Sequence, residues 1–369
     1  MTAVLVTGAD GFIGRNLCVR LAERGDCEIV RFVRGDDAAV LAGAARRAEF
    51  VFHLAGVNRP PDPAEFAAGN AGLTEQLVAA LKQAGSLAPV AYTSSIQAER
   101  DNPYGRSKLA SEQALLGYAR DTGAAVHLFR LPNVFGKWSR PDYNSAVATF
   151  CHRIARGEAI DIHAPDAPLQ LVYVDDVVDR FLALLDEAPG TSGLREIAPV
   201  YDSTVGEVAE IIGGFPATRE SLVMPGVGAG LVRALYSTFL SFLPAQDFAY
   251  RVPIHADPRG EFVEMLKTRD TGQFSYFTAN PGVTRGDHYH HSKAEKFLVI
   301  AGTAHFGFRH IVTGETHELV VTGGEGRIVE SIPGWTHNVT NVGDEPLLVM
   351  LWANEIFDRD RPDTVAMKV

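Results

Sequence analysis

From the first residue to about position 200, short apolar and β-branched runs alternate with longer segments whose apolar positions recur every three or four residues. The runs are "AVLVTG", "CEIVRFV", "EFVFHLAG", "APVAYTSS", "VHLFRLP" and "LQLVYV"; between them lie segments such as "GRNLCVRLAERG" and "LTEQLVAALKQAG". Apolar strands spaced by amphipathic helices predict βαβ units and a doubly wound parallel sheet covered on both faces, a Rossmann-type α/β fold. The helical "TVGEVAEIIGGF" and "LVRALYSTFLSFLP" then flank a Gly- and Pro-containing stretch, "MPGVGAG". From Val252 the texture changes to short alternating runs cut by Gly and Asp turns: "KFLVIAG", "TAHFGFRHIV", "THELVVTGG" and "PLLVMLWAN". That pattern predicts an all-β sandwich or barrel. The chain has 369 residues, too many for one ordinary core, and the change of pattern divides it into residues 1–247 and 248–369.

Composition narrows the function classes. Forty-five carboxylates face 34 Lys and Arg, with no basic block to neutralise a run of phosphates, so nucleic acid is not expected as a partner. Cys18, Cys27 and Cys151 form an odd set without metal-like spacing, which suits packing in a reducing compartment. The N-terminus enters a strand at once, and Arg233 interrupts the most apolar later stretch, so neither a signal peptide nor a membrane span is expected. The reading is a soluble cytoplasmic protein.

Gly8, Gly11 and Gly14 stand directly after a strand and open a helix, with Asp10, Phe12 and Ile13 between or beside them. Such glycines permit a tight turn and close approach to a pyrophosphate, which the helix N-terminus then receives. NAD-binding chains hold the ribose with an acidic residue at the end of the second strand; here "RFVRGDD" places Arg34 there, which suits the 2'-phosphate of NADP. Asp36 and Asp37 follow closely and keep NAD open.

In "YTSSIQAERDNPYGRSK", Tyr104 and Lys108 are four positions apart and share a helix face, and Ser95 ends the preceding strand. A free tyrosine is too weak an acid for efficient proton transfer at neutral pH; a nearby ammonium favours the phenolate. These residues, with "HLAG" (53–56), "RLPNVFG" (130–136) and "VYVDDVV" (172–178), resemble the extended short-chain dehydrogenase family of sugar-nucleotide epimerases, dehydratases and reductases. The resemblance spans roughly residues 1 to 240. It implies that Ser95 (or Ser94), Tyr104 and Lys108 are catalytic, that Leu54, Ala55 and Gly56 line the cofactor, and that Asn133, Lys137 and Arg140 face the nucleotide sugar. Members that dehydrate the sugar carry an Asp-Glu pair where this chain has Ile96 and Gln97, which leaves carbonyl reduction or alcohol oxidation.

Near the other end, Gly282, five residues, His288, one residue, His290, four residues, Glu295, six residues and Gly302 are followed later by His337 in "PGWTHNVTN". This resembles the two signature motifs of the cupin family, whose small β-barrels gather three histidines and a glutamate around a metal. The second motif departs from the pattern, because Pro333 and Gly334 are adjacent where the family has a residue between them. Three imidazoles and a carboxylate suit a divalent transition metal. His291 is expected to be solvated, and His305, His310 and His317 to have no role. "HADPRGEFVEM" (255–265) and "GVTRGDHYH" (282–290) also resemble the metal-free cupins that epimerise 4-keto deoxysugar nucleotides. That resemblance makes His288 the general base and Arg285 a pyrophosphate ligand, with Tyr276 or Tyr289 as acid. His288 therefore has two assignments; Asp287 and His290, which replace nonpolar or amide residues of that family, favour the metal.

Both ends point to a nucleotide-linked keto sugar. A ring C–H loses its proton to histidine only beside a carbonyl, and hydride reduction removes that carbonyl, so epimerisation must precede reduction. An extended reductase followed by a cupin, over the full length, resembles the CapF-type family of bifunctional enzymes of capsule and O-antigen synthesis. The resemblance implies a UDP-2-acetamido-2,6-dideoxy-hexos-4-ulose inverted at C3 and reduced at C4 by NADPH to the L-talose derivative, on the route to UDP-N-acetyl-L-fucosamine. It also implies zinc and a homodimer. Two alternatives stay open: a reductase whose cupin only binds or dimerises, and a nucleotide sensor without turnover, which would have no need of Ser95, Tyr104 and Lys108.

Overall fold

The computed structural model describes residues 1–188, 190–257, 260–263, 266–268, 272–355 and 360–369. Its N-terminal part follows the expected alternation: β1 (Thr2–Thr7), α1 (Phe12–Arg24), β2 (Cys27–Phe32), α2 (Ala38–Arg47), β3 (Phe50–His53), α3 (Leu73–Gln83), β4 (Val90–Ser95), α4 (Pro103–Thr122) and β5 (Val126–Leu131). The strands pair in parallel in the order β2-β1-β3-β4-β5, with Gly193–Leu194 at the far edge. Every residue of β3 and β4 is buried, as a sheet covered on both faces requires. Leu41, Leu77, Leu81, Leu115 and Tyr118 of the helices close over Leu5, Val51 and Val90 in one core.

The chain forms two compact units: Met1–Phe135 with Leu169–Asp202, and Gly136–Pro168 with Ser203–Val369. The change of texture near residues 247/248 falls within the second of these units. Helices Ala146–Ile154, Val205–Gly214 and Gly230–Ser241 pack on one another in the second unit, burying Phe150, Cys151, Ile212, Leu235 and Phe239. Periodicity marks such segments as helical without saying which core takes their apolar faces.

The second unit also carries two five-stranded sheets whose paired strands run antiparallel. One orders Ala249–Arg251, Arg327–Glu330, Glu295–Ala301, Leu347–Ala353 and Gln273–Ala279; the other orders Thr316–Thr322, Thr303–His310, Trp335–Asn341, Thr284–Tyr289 and Val365–Ala366. Phe297 joins them, 5.7 Å from the Phe306 ring and 5.9 Å from that of His337. The all-β expectation is met by antiparallel sheets; among the described residues no strand is hydrogen bonded into both, and a closed barrel is not found. No helix among them is long and apolar enough to cross a membrane.

The turn after β1 depends on glycine. Gly8 has φ +70°, and a Cβ there would stand 2.8 Å from the Ala55 backbone; a Cβ on Gly14 would stand 2.1 Å from the Gly8 carbonyl oxygen. Gly14→Ala is therefore expected to cost about 2 kcal/mol or more through overpacking. Gly213→Ala, at a helical site with nothing within 4 Å, is expected to be neutral or slightly stabilising. Melting curves of the two variants check this: the first falls by roughly 5 °C and the second does not fall.

Candidate active sites

The glycine turn is built from the backbone outward. The Gly8 amide donates to the Phe32 carbonyl (2.8 Å) and the Gly11 amide to that of Gly8 (2.9 Å), which swings the chain into α1. Gly11 caps α1 with no side-chain hydrogen bond, so the first N–H groups of the helix are not spent on a capping side chain, as an anion site would need. The Leu54 amide donates to the Thr7 carbonyl (3.2 Å) and the Ala55 amide to Thr7 Oγ1 (3.2 Å), which lays "HLAG" over Gly8. Asp10 pairs with Arg31, Phe12 and Ile13 are half-buried, and Arg34 is exposed just past β2.

At the end of β4 the two serines part company. Ser94 Oγ donates to the buried carboxylate of Glu112, which also takes two bonds from Arg130 (2.9 and 2.7 Å). Ser95 Oγ accepts the Gln97 amide (3.1 Å), so its own proton is left to donate elsewhere. Tyr104 is half-buried on the first turn of α4, its ring 5.5 Å from that of Phe66. Lys108, one turn on, is buried; its Nζ donates to the Thr93 carbonyl (2.9 Å) and lies 4.9 Å from the Tyr92 ring centre and 5.9 Å from that of Tyr104. Burial lowers the Lys108 pKa, against the opposing pull of Tyr104.

Beneath this pair runs a polar ladder that the sequence reading missed. Asn70, in a wide turn over Ala67–Gly72, accepts the Val57 amide (2.8 Å) and donates to Ser107 Oγ (2.9 Å). Thr74 donates to the Asn70 carbonyl and lies 3.1 Å from Ser111 Oγ. His53 is held between Thr7 (2.7 Å) and Thr74 (2.9 Å), and burial, then the charge of Lys108, pushes its pKa down to about 3. A Cβ on Gly56 would come within 2.9 Å of Asn70 Oδ1 and 3.3 Å of Lys108 Nζ. The available signal was polar spacing at 70/74 and 107/111, one turn apart on two helices.

The expected sugar-binding residues fall in both units. Asn133, exposed in the first, donates to the Gln170 carbonyl (3.1 Å). In the second unit Lys137 is buried over the Trp138 ring, and exposed Arg140 lies over that of Tyr143. Arg285 is exposed against Phe277 and donates to the Thr278 carbonyl. Tyr276 is exposed; Tyr289 is buried, its hydroxyl without a hydrogen-bond partner among the described residues. The stretch 255–265 lies partly outside the described residues, at 258, 259, 264 and 265.

The quartet converges. One ligand atom from each of His288, His290, Glu295 and His337 lies within 4.8 Å of the others. His288 faces His337 across paired strands after a bulge at Asp287 (φ +54°), and His290 follows the strand's end. Glu295 Oε2 stands 3.0 Å from His290 Nε2 and 3.3 Å from His337 Nε2, and Lys293 Nζ lies 3.0 Å from Oε1. The other ring nitrogen of His290 meets the main-chain oxygen of Asp363, which can only accept, so Nδ1 carries the proton. A neutral His290 thus turns its Nε2 lone pair toward a carboxylate, and that approach needs a proton or a cation between them. The set fits a divalent ion by donor chemistry as well. Burial, with His337 and His290, pushes His288 down to about 4, and burial also lowers His337, so both favour the neutral form that binds metal. Burial works against the charge of Glu295, yet His290 and His337 hold it well below the usual carboxylate range.

The other histidines differ from expectation in part. His291 is buried, not solvated, with its ring 5.4 Å from that of Tyr289, because its amide is drawn in by Asp363. His310 takes the Trp138 indole N–H (3.0 Å), His305 lies near Glu318, and His317 packs against Phe248 and Phe308.

Residues 4–194 match the model of the NAD dependent epimerase/dehydratase family, and residues 255–365 that of the polysaccharide biosynthesis C-terminal domain. UDP-2-acetamido-2,6-beta-L-arabino-hexul-4-ose reductase of Pseudomonas aeruginosa is 57% identical, covering 99% of this chain and 98% of its own. A probable dTDP-4,6-dihydroxy-2-methyloxan-3-one 4-ketoreductase of Streptomyces antibioticus is 28% identical over 71% of this chain and 90% of its own. The crystal structure of the capsular polysaccharide assembling protein CapF from Staphylococcus aureus superimposes with a TM-score of 0.68 at 38% identity, covering 100% of both chains. With sequence and fold matched end to end, the chain belongs to the NAD dependent epimerase/dehydratase family, as an extended short-chain dehydrogenase of the CapF type with a polysaccharide biosynthesis C-terminal domain.

Proposed function

We propose that the chain is a bifunctional nucleotide-sugar enzyme: the C-terminal β unit, read as a cupin, inverts C3 of a UDP-2-acetamido-2,6-dideoxy-hexos-4-ulose, and the Rossmann unit reduces the C4 ketone with NADPH. The product is then UDP-2-acetamido-2,6-dideoxy-L-talose, a precursor of UDP-N-acetyl-L-fucosamine. The observation that carries this reading is the convergence of His288, His290, Glu295 and His337 in a chain that also holds Ser95, Tyr104 and Lys108. The name of the Pseudomonas relative, a reductase of a 2-acetamido-hexul-4-ose, supports the ketone and the amino sugar. The same reading places the enzyme in the cytoplasm, where nucleotide sugars and reduced nicotinamide are at hand, as the homodimer that the resemblance implies.

For reduction, Gly8, Gly11 and Gly14 admit the pyrophosphate to the α1 N-terminus, and Arg34 meets a 2'-phosphate. A nicotinamide bound at this turn would supply the hydride to C4. As the carbonyl π pair moves onto oxygen, Tyr104 delivers its proton there, Ser95 donates a hydrogen bond, and Lys108 favours the phenolate left behind. For epimerisation, removal of the C3 proton sends the C–H pair into an enolate, and a proton returns on the opposite face. His290, Glu295 and His337 would hold a divalent ion, zinc in this reading, which would supply Lewis acidity at the ketone. His288 either completes the ligand set or takes the C3 proton.

Two predictions follow from this division. Tyr104→Phe is expected to lower NADPH oxidation by ~10²-fold or more. In heavy water without NADPH it still exchanges deuterium into C3, read by NMR; loss of both reactions counts against separate sites. The converse holds for His337→Ala and Glu295→Gln, which lose exchange but still oxidise NADPH with the epimerised sugar. His288→Asn separates its two assignments, since a ligand's loss lowers bound metal and a base's loss leaves it. If exchange into C3 survives in the His288 and His337 variants, the β unit only binds or dimerises.

A further inference from the structure

The loop that joins two of the proposed ligands is held in an unusual way. From His291 to Glu295 every main-chain N–H is donated to a side chain from elsewhere in the fold. The amides of His291 (2.8 Å), Ser292 (2.7 Å) and Lys293 (2.7 Å) all go to the carboxylate of Asp363, which also takes the Ser292 hydroxyl (3.1 Å). Those of Ala294 and Glu295 go to Asn354 Oδ1 (2.9 Å) and Ser331 Oγ (2.8 Å). Three consecutive amides turned onto one carboxylate form an anion-binding nest, filled here by the protein's own side chain.

Asp363 does a second thing with its backbone: its carbonyl oxygen accepts the Nδ1 proton of His290. The segment that carries it continues as a strand, pairing Val365 with Tyr289 and Ala366 with His288, and the Met367 amide donates to the Asp287 carbonyl (2.8 Å). One residue near the C-terminus therefore pins the loop between His290 and Glu295 and, through its main chain, decides which imidazole nitrogen faces the cup.

We propose that Asp363 is the positioning residue of this cup: its carboxylate clasps the amides of residues 291–293 so that its own carbonyl fixes His290 with Nε2 presented to a divalent cation. The proposal rests on the reading of the quartet as a cation site. A carbonyl that accepts the far N–H of a ligating histidine orients the ring and raises its basicity. Asp363→Ala keeps the carbonyl but removes the carboxylate's hold on the nest, leaving the strand pairing at Val365 and Ala366 to place it.

The test uses the full-length chain and Co²⁺ as probe, followed by calorimetry and by the visible absorption of the bound ion. Asp363→Ala is expected to weaken Co²⁺ binding by ~10–100-fold and to change the absorption bands. Asp363→Asn, which can still accept but offers an N–H where an acceptor is needed, falls between this variant and the parent. NADPH oxidation with the epimerised sugar stays at the parental rate in both, which shows that the chain is folded. Parental affinity and an unchanged spectrum in Asp363→Ala, or in Asp363→Asn should the alanine variant not fold, overturn the role of Asp363. Failure of the parent itself to bind Co²⁺ overturns the cation site instead.

Discussion

A carboxylate taken out of water has to be met by positive charge or give up its own, and the second unit is arranged around that requirement at Glu295. Its side chain is buried, two imidazole nitrogens and the Lys293 ammonium stand within 3.3 Å of its oxygens, and no bulk water is there to screen them. The strands supply this crowding cheaply in sequence terms, with His337 facing His288 across a pair and His290 just past a strand end. What strands alone do not supply is the orientation of each ring, which falls to residues outside the motif.

The first unit meets a parallel difficulty with the opposite sign. Lys108 is buried where an ammonium is costly, and its direct partner is the Thr93 carbonyl, with the faces of Tyr92 and Tyr104 nearby. A cation so placed gains from a nearby negative charge, and Tyr104 and Glu112 are the groups that offset its burial. Burial lowers the Lys108 pKa, and the pull of Tyr104 and then Glu112 works against that fall. The Glu112–Arg130 pair nearby is satisfied by contrast, with two short bonds and Ser94 attached, which makes it a brace for the end of β4.

What was legible in the sequence is what depends on short spacing. The glycine turn, the Tyr104/Lys108 pair and the His288/His290/Glu295 run each declare themselves within about a dozen positions, because helix and strand periods bring those residues together locally. Asn70 and Asp363 were not legible. Asp363 reaches His290 across 73 positions, and nothing in its neighbours "RPDTV" marks it as a clasp. The packing of the helices in the second unit is hidden for a related reason: the apolar faces of Val205–Gly214 and Gly230–Ser241 are visible in the pattern, but their burial against Ala146–Ile154 is a long-range fact. The choice between sandwich and barrel depends on which strand edges pair, which alternation cannot express.

Register is where the two ends of this reasoning meet. Along Glu295–Ala301 side chains alternate, so Glu295 and Lys296 face opposite sides of the sheet. Lys296 is as buried as its neighbour and pairs across the strands with Glu330, which also takes Arg219, while Tyr250 accepts from the ammonium at 2.9 Å. A slip of one residue would carry Lys296 into the cup among imidazoles and leave Glu330 and Glu295 each facing the wrong partner. Both errors bury uncompensated charge, the costliest mistake a sheet can make, so the Lys296 network excludes the alternative register that apolar alternation alone would tolerate. The accuracy of the cup is therefore set from behind as well as from within, by an ion pair that touches none of the four proposed ligands' reactive atoms.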